Sequence, residues 1–224
     1  MSTPALQLET LFILDGDGRI LSTREPQGTP GPLFFLVRSA TECAWAVRTD
    51  VDAELAEELL SLARKEPPVQ DVRVARLHAD RYCSLLSGRV QSGPAFGFPP
   101  SLINPPSVVE IEDEALLEMH FRGWVPGEIG AGRAPVWAVV EDGYPVSICF
   151  SARRSDLAAE AGVETAAEFR GMGSASRATA AWARAIRGSG RTPLYSTDWT
   201  NEASLALARK LALEPYASDW SVSD

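Results

Sequence analysis

Apolar and polar positions along the first 86 residues predict a mixture of strands and short helices. Two apolar runs on either side of an Asp-Gly-Asp-Gly turn predict a β-hairpin over residues 11–21. Residues 32–51 predict two further strands, and residues 53–65, which place leucines on one face, predict a helix. The alternation at residues 72–77 predicts another strand, and residues 78–86 predict a short helix.

Residues 87–106 differ from both flanking regions because they contain five prolines, which leave little room for regular structure. We interpret residues 91–106 as a linker or as a lid over a substrate cleft. This boundary divides the chain into an α+β module over residues 1–90 and a second domain over residues 107–224. The first module is either separate or a divergent copy of the second domain.

The second half again alternates strands with helices, so that the fold class predicted for the whole chain is α+β. Residues 110–124 carry apolar positions at helical spacing and predict an amphipathic helix. The remaining predicted elements, in chain order, are a hairpin (135–153), a strand (159–166), a helix ending at Gly188 (177–188), a strand (192–199), a helix (201–213) and a last strand (216–222).

Composition and charge narrow the class of protein. Apolar residues make up 45% of the chain, which suits a folded core, and the formal net charge of -9 argues against a nucleic-acid partner. The same acidity favours a cationic partner such as an amine, or serves solubility. No apolar window approaches the length of a membrane helix, and we expect no membrane association.

Cysteines and histidines give no sign of a disulfide framework or a metal site. Cys43, Cys83 and Cys149 are far apart, and neither His78 nor His120 has a partner at ligand spacing. The sequence therefore predicts a cytoplasmic protein without a bound metal.

A glycine-rich turn is the strongest chemical signal in the chain. Residues 168–177, EFRGMGSASR, lie between a predicted strand and a predicted helix, and their small residues allow a backbone to pass close to a ligand. A helix N-terminus offers unpaired N–H groups to an anion such as phosphate. A tight turn that binds nothing is the alternative. The turn lacks the sequence of a Walker loop or a Rossmann fingerprint.

The turn resembles the pyrophosphate loop of the GNAT acyltransferase superfamily, with Arg170, Gly173 and Ala175 at the characteristic positions. A second resemblance lies downstream, where the family carries N-x-x-S-x-x-L-Y-x-K-x-G-F. The corresponding residues here are Asn201, Ser204, Leu207, Ala208, Lys210, Ala212 and Leu213. The family tyrosine, which often serves as general acid, is thus Ala208. The likeness covers about residues 107–224 and implies a mixed central sheet flanked by helices.

The resemblance implies a set of residues that bind acetyl-CoA as cosubstrate. Strand residues pair with the pantetheine arm, the loop holds the pyrophosphate, and Asn201 caps the next helix and contacts the ligand. The implied binding residues are Val163, Thr165, Arg170, Gly171, Met172, Gly173, Ser174, Ala175 and Asn201.

The catalytic candidates follow from where the thioester should lie. Glu164 is the first candidate for the general base, and Glu160 precedes it on the same face of the strand. Ser204, an ordered water, Tyr195 and Tyr216 are candidates for the acid that protonates the thiolate, while unassisted departure of the thiolate is a further alternative.

We therefore expect a GNAT-type N-acetyltransferase that moves an acetyl group directly from acetyl-CoA to an amine. The acceptor is a small molecule or a peptide, and a homodimer is left open. Because Ala208 replaces the family tyrosine, the alternative is a non-catalytic module that binds acyl-CoA.

Overall fold

The computed structural model describes residues 3–224, which contain five α-helices, a two-stranded sheet and a nine-stranded sheet. The helices are α1 (Pro4–Leu11), α2 (Ala53–Ala63), α3 (Ala79–Leu85), α4 (Ser174–Gly188) and α5 (Glu202–Lys210). The strands are β1 (Phe12–Leu14), β2 (Ile20–Thr23), β3 (Phe34–Ser39), β4 (Cys43–Val47), β5 (Arg89–Gly97), β6 (Val108–Glu110), β7 (Trp137–Glu141), β8 (Tyr144–Arg154), β9 (Ala158–Thr165), β10 (Thr192–Ser196) and β11 (Glu214–Ser223).

The large sheet has the strand order β4-β3-β11-β5-β10-β9-β8-β7-β6. All neighbouring strands are antiparallel except β9 and β10, which are parallel. Strands from the two halves of the chain are interleaved in this sheet, because β5 lies between β10 and β11 while β11 lies between β5 and β3. The predicted α+β class with a mixed central sheet and flanking helices is confirmed.

The sheet has two faces with different covers. On one side, which we call the helical face, α4 packs on the strands through Trp182 and Ile186 with α5 beside it. On the same side α2 and α3 pack on Phe34 and Leu36. On the other side, which we call the hairpin face, α1 and the β1–β2 hairpin pack on Phe35 and the strands beside it. Alternation along each strand sends successive side chains to opposite faces.

Residues 91–97 lie in β5, near the middle of the large sheet, so the prediction of a linker or lid is wrong for this segment. The positions of Gly93 and Pro94 in the sheet explain why this segment can form a strand. A Cβ on Gly93 would lie 1.6 Å from the carbonyl oxygen of Thr197, so only glycine allows these backbones to approach. Pro94 lies just beyond the ladder between β5 and β10, where its missing N–H leaves no strand pair broken. The sheet is therefore continuous across the predicted boundary.

Residues 72–77 form a loop instead of the predicted strand, because buried side chains satisfy its backbone. Arg38 donates to the carbonyl oxygen of Val74 at 2.6 Å, and the Glu66 carboxylate accepts from the N–H groups of Leu77 and His78, both at 2.9 Å. Arg38 and Glu66 form a fully buried ion pair at 3.0 Å. These bonds replace the strand pairing that the alternating pattern suggested.

The predicted helix over residues 110–124 is also wrong, since only residues 114–117 form a short 3-10 turn. The apolar positions on which the prediction rested are nevertheless buried, as Ile111, Leu117 and Phe121 show. The Glu114 carboxylate accepts from backbone N–H groups of residues 127 and 129 and holds the chain in successive turns. Helix α1 was not predicted, although Thr3 caps it and Pro4 begins it.

The other predicted elements are confirmed. The early hairpin, the two strands after it, α2, the hairpin of β7 and β8, α4 and the strand before it, β10, α5 and β11 all occur at the predicted places. Asp52 caps α2. Each of these elements has a strong local signal, either a cap, a turn or a sustained period.

Candidate active site

A cleft of about 680 Å³ opens on the helical face where β9 ends and the chain turns into α4. Its walls are the end of β9, the loop after it, the first turn of α4 and the start of α5. A volume of this size falls within the range of small-molecule sites.

The loop into α4 is shaped by glycines in the left-handed conformation. Gly171 and Gly173 have φ values of 79° and 81°, which side-chain-bearing residues rarely adopt. Gly173 caps α4 without any side-chain hydrogen bond, and the first intrahelical bond runs from Arg177 N to Gly173 O at 3.3 Å. Within residues 3–224, the N–H groups of Ser174 and Ala175 therefore have no protein acceptor and point out of the helix N-terminus.

Three cationic side chains surround this loop in a chain whose net charge is -9. Arg170 donates to the carbonyl oxygen of Thr165 at 3.3 Å, and Arg177 donates to the Ser174 hydroxyl at 3.3 Å. A Cβ on Gly173 would lie 2.7 Å from Nζ of Lys210, so the ammonium group sits directly against the loop. Open N–H groups, the helix dipole and these cations together favour an anion.

The edge of β9 beside the cleft is open. Pairing between β9 and β10 covers only residues 158–160 and 192–194, so from Ala161 to Thr165 this edge of β9 has no strand beside it. An unpaired strand edge carries backbone donors and acceptors that can pair with the amide groups of an extended ligand.

Most of the predicted site residues come together in this cleft. Val163, Glu164, Thr165, Arg170, Gly171, Gly173, Ser174, Ala175, Asn201 and Ser204 line it. Met172 does not, because its side chain is 68% exposed and turned to solvent. Asn201 caps α5, as predicted, by accepting from Ser204 N at 3.0 Å.

The two carboxylates of β9 have different surroundings. Glu164 is one of the residues at the cleft, and its exposed side chain points to the same face of β9 as Glu160. Desolvation raises the pKa of Glu164, an effect that Arg133 partly offsets. Glu160 is buried on the hairpin face, where Ser196 donates to it at 2.5 Å and Arg153 at 3.1 Å. A cation and a hydroxyl therefore already occupy the Glu160 carboxylate.

Tyr195 does not line the cleft but lies beneath it. The side chain is 3% exposed, and its hydroxyl donates to the carbonyl oxygen of Ser204 at 3.4 Å. Burial raises the pKa of Tyr195, so the hydroxyl keeps its proton at neutral pH. Ala208 is buried in the same apolar cluster and does not line the cleft beside Asn201 and Ser204.

Sequence reasoning assigned no site role to several residues of the cleft wall. His120 lies there, with Nδ1 at 3.6 Å from Glu168 and its ring against the edge of Phe169. Lys210 was recognised only as a motif position. No spacing along the chain connects His120 with the loop, so only the folded chain could identify it.

Among residues 3–224, no three His, Cys, Asp or Glu side chains are grouped as a metal site requires. None of the helices in this part of the chain has the length and apolar composition that crossing a bilayer demands.

Comparisons with known proteins bear on the family. Residues 135–218 match the family model described as GNAT acetyltransferase. The chain is similar in structure to a GCN5-related N-acetyltransferase-like protein from Streptococcus suis 89/1591, with 18% identity, 86% of this chain and 84% of that chain covered, and a TM-score of 0.50. A comparison with the curated proteins gave no match.

Two other solved structures show the same kind of similarity. A protein from Novosphingobium aromaticivorans DSM 12444, described as a GNAT-family acetyltransferase, has 20% identity over 61% of this chain, with a TM-score of 0.49. The match spans 66%, just under two thirds, of that protein. A GCN5-related N-acetyltransferase from Sphaerobacter thermophilus has 14% identity over 94% of this chain and 79% of that one, with a TM-score of 0.46.

The predicted resemblance to the GNAT acetyltransferase family is therefore confirmed over residues 135–218, and the fold is shared with a solved GCN5-related structure.

Proposed function

We propose that the protein is an N-acetyltransferase that binds acetyl-CoA in the cleft on the helical face and transfers the acetyl group directly to an amine. The observation that carries the proposal is the anion site at the start of α4, where open N–H groups, left-handed glycines and three cations converge. A pyrophosphate group has the charge and the acceptor oxygens that this site needs.

The open edge of β9 supports the same assignment. Residues 161–165 leave backbone groups unpaired beside the cleft, and the pantetheine arm of CoA carries two amides that can pair with such an edge. An arm held in this way would carry the thioester from the anion site toward the point where β9 and β10 diverge. Backbone N–H groups of β9 can there polarise the thioester carbonyl.

The chemistry requires a neutral amine and a departing thiolate. The amine nitrogen forms a bond to the carbonyl carbon, and the C–S bond breaks as the tetrahedral intermediate collapses. The thiolate takes up a proton, for which the protonated hydroxyl of Tyr195 beneath the cleft is the candidate donor. The sequence predicts Glu164 as the base that accepts the amine proton, and the kinetics of Glu164→Gln test this prediction.

A substitution at Gly173 tests the anion site. In Gly173→Val the side chain meets Lys210 and the backbone is strained, so we expect the affinity for CoA, measured by calorimetry, to fall by at least about 10-fold. The matched control is Gly190→Val, because Gly190 has φ 83° with open space around it, far along the chain from the loop. Unchanged CoA affinity in folded Gly173→Val would refute the pyrophosphate assignment.

A non-catalytic acyl-CoA-binding module is the second candidate, because Ala208 is buried and supplies no acid. Thiol release from acetyl-CoA in the presence of a panel of amines separates the two functions. The enzyme should release CoA with at least one amine, whereas the module should bind CoA at the same affinity and release none.

A further inference from the structure

A second cavity, of about 480 Å³, lies on the hairpin face of the sheet. Its floor is formed by strands β5, β10 and β11, and its roof by the end of α1 and residues 29–32. It adjoins the end of β10, because Ser196, Thr197 and Asp198 form part of its wall. The cavity thus lies on the opposite side of the sheet from the CoA cleft, next to the point where β10 leaves β9.

The cations in this cavity are already neutralised. Arg48 donates to the carboxylates of Asp50 and Asp224, and Arg153 donates to those of Glu25 and Glu160. Each guanidinium therefore faces two carboxylates, and neither offers an uncompensated charge to a ligand anion.

Asp198 and Asp219 both line the cavity without a salt bridge among residues 3–224, and Asp219 is the more deeply buried of the two, whereas Asp198 accepts from Thr200. Oδ2 of Asp219 accepts from Nε2 of Gln7 at 2.9 Å. Arg76 is bonded to the backbone carbonyl of Asp219, not to the carboxylate. A partly accessible carboxylate without a cation is a suitable partner for a ligand ammonium group.

Proton affinity supports this role. Desolvation and the neighbouring Glu160 raise the pKa of Asp219 to about 7, while Arg76 and the Gln7 amide partly oppose the rise. Tyr216 lies on the same side; its hydroxyl donates to Gln7, and burial raises its pKa well above the usual value. A carboxylate with a pKa near the working pH can both accept and return a proton.

We propose that this cavity binds the acceptor, that the acceptor is a small amine without a carboxylate group, and that Asp219 takes the proton from its ammonium form. The proposal rests on the proposed function, since it assumes acetyl transfer from the cleft across the gap between β9 and β10. One ammonium proton passes to the Asp219 carboxylate and then to solvent. A second proton leaves nitrogen when the amide forms and balances the one that the CoA thiolate gains.

The exclusion of carboxylates follows from the same charges. A ligand carboxylate would enter a cavity lined by Asp198, Asp219 and Asp224, with both arginines already bound to acids. Like charges at close range in a partly desolvated site repel strongly. Amino acids should therefore bind less well than the amines that remain when their carboxylate is removed.

Matched amine pairs test the proposal directly. Cadaverine is compared with lysine, and agmatine with arginine, by calorimetric titration into the protein with and without bound CoA. We expect each amine to bind at least about 10-fold more tightly than its carboxylated partner, and Asp219→Asn to weaken cadaverine binding by about 10-fold or more. Equal affinities within both pairs, or no binding of either amine, would overturn the proposal.

Controls separate this proposal from the proposed function. Glu214→Gln removes an exposed carboxylate from the same strand outside the cavity and should leave cadaverine affinity unchanged. CoA affinity is measured on the same samples and should not change in Asp219→Asn. Loss of CoA binding with intact amine discrimination would refute only the cosubstrate assignment, whereas intact CoA binding with equal amine affinities would refute only the acceptor assignment.

Discussion

The cleft on the helical face, which we propose binds CoA, and the cavity on the hairpin face are built from different kinds of groups. The cleft presents backbone donors and small residues from one continuous segment, which runs from the end of β9 into α4. The cavity presents charged side chains that come from positions as distant as Arg48, Arg153 and Asp219. A backbone site suits a cosubstrate with fixed chemistry, whereas a side-chain site can be changed by single substitutions to suit a different acceptor.

The interleaving of strands from the two halves explains why residues from both halves line the cavity. Because β5 lies between β10 and β11, and β11 pairs with β3, the first half supplies the roof and part of the floor beside the second half. We infer that the first half contributes to acceptor recognition while the cosubstrate cleft belongs to the second half. The predictions below test this division, beginning with the largest expected effect.

The carboxylate that activates the amine should lie in the cavity and not in the cleft. We expect Asp219→Asn to lower kcat/KM for a working amine by about 10²-fold, as the loss of a general base does. Glu164→Gln, which alters the exposed carboxylate of the cleft, should change it by about 3-fold or less. Steady-state kinetics across pH 6–9 give both values. A larger loss in Glu164→Gln than in Asp219→Asn would make Glu164 the base, as predicted from the sequence. It would contradict the proposal that the acceptor is activated in the cavity.

The proton for the departing thiolate should come from beneath the cleft. Tyr195→Phe should lower kcat by about 10-fold, a modest loss because a thiolate with a pKa near 8.5 is a tolerable leaving group. The affinity for CoA should be unchanged, since Tyr195 does not line the cleft. Tyr144→Phe, at an exposed position in β8, is the matched control. A flat kcat in Tyr195→Phe would support unassisted departure of the thiolate.

Side-chain cations should contribute less to CoA binding than the backbone does. Arg170→Gln and Lys210→Met should each weaken CoA binding by about 3- to 5-fold at low salt, because both charges are exposed and screened. The difference from the unmodified protein should shrink at 0.5 M NaCl in calorimetric titrations. Arg64→Gln, whose side chain pairs with Glu57 on α2, serves as the control. A loss that persists at high salt would mean that the cations position the ligand by specific hydrogen bonds.

The contrast between a cleft built from one local segment and a cavity built from distant side chains explains what could be predicted from the sequence. The loop from Arg170 to Ala175 is local, so its small residues and the helix after it identified the cleft before any fold was known. Asp219 could not be identified in this way, because its partners Gln7 and Glu160 lie 212 and 59 positions away along the chain. Asp219 and Glu160 lie close together only because of the order of the strands in the sheet.

Errors in the predicted fold have the same origin. The prolines near residue 94 favoured irregular structure, but the close approach of Thr197 to Gly93 makes this segment a central strand. The alternation at residues 72–77 favoured a strand, but Arg38 and Glu66 satisfy the backbone there. In each case a contact between distant segments outweighs the local preference.

The smallest effect expected concerns stability, and its sign follows from the raised pKa of Asp219. Folding raises this pKa from 3.8 to about 7, so between these values the folded chain holds a proton that the unfolded chain releases. Stability from this group is therefore lost as the pH rises, and the charged carboxylate destabilises the folded state above pH 7. Asparagine carries no charge at any pH. We therefore compare the Tm of Asp219→Asn with that of the unmodified protein at each pH. The difference should be larger at pH 8 than at pH 5, by about 2–4 °C for each kcal/mol by which the ionised carboxylate destabilises the folded state. Thermal unfolding followed by circular dichroism measures this difference, with Glu214→Gln as the control. An equal change in the control would assign the effect to net charge, and a constant difference would mean that Asp219 is ionised throughout this range.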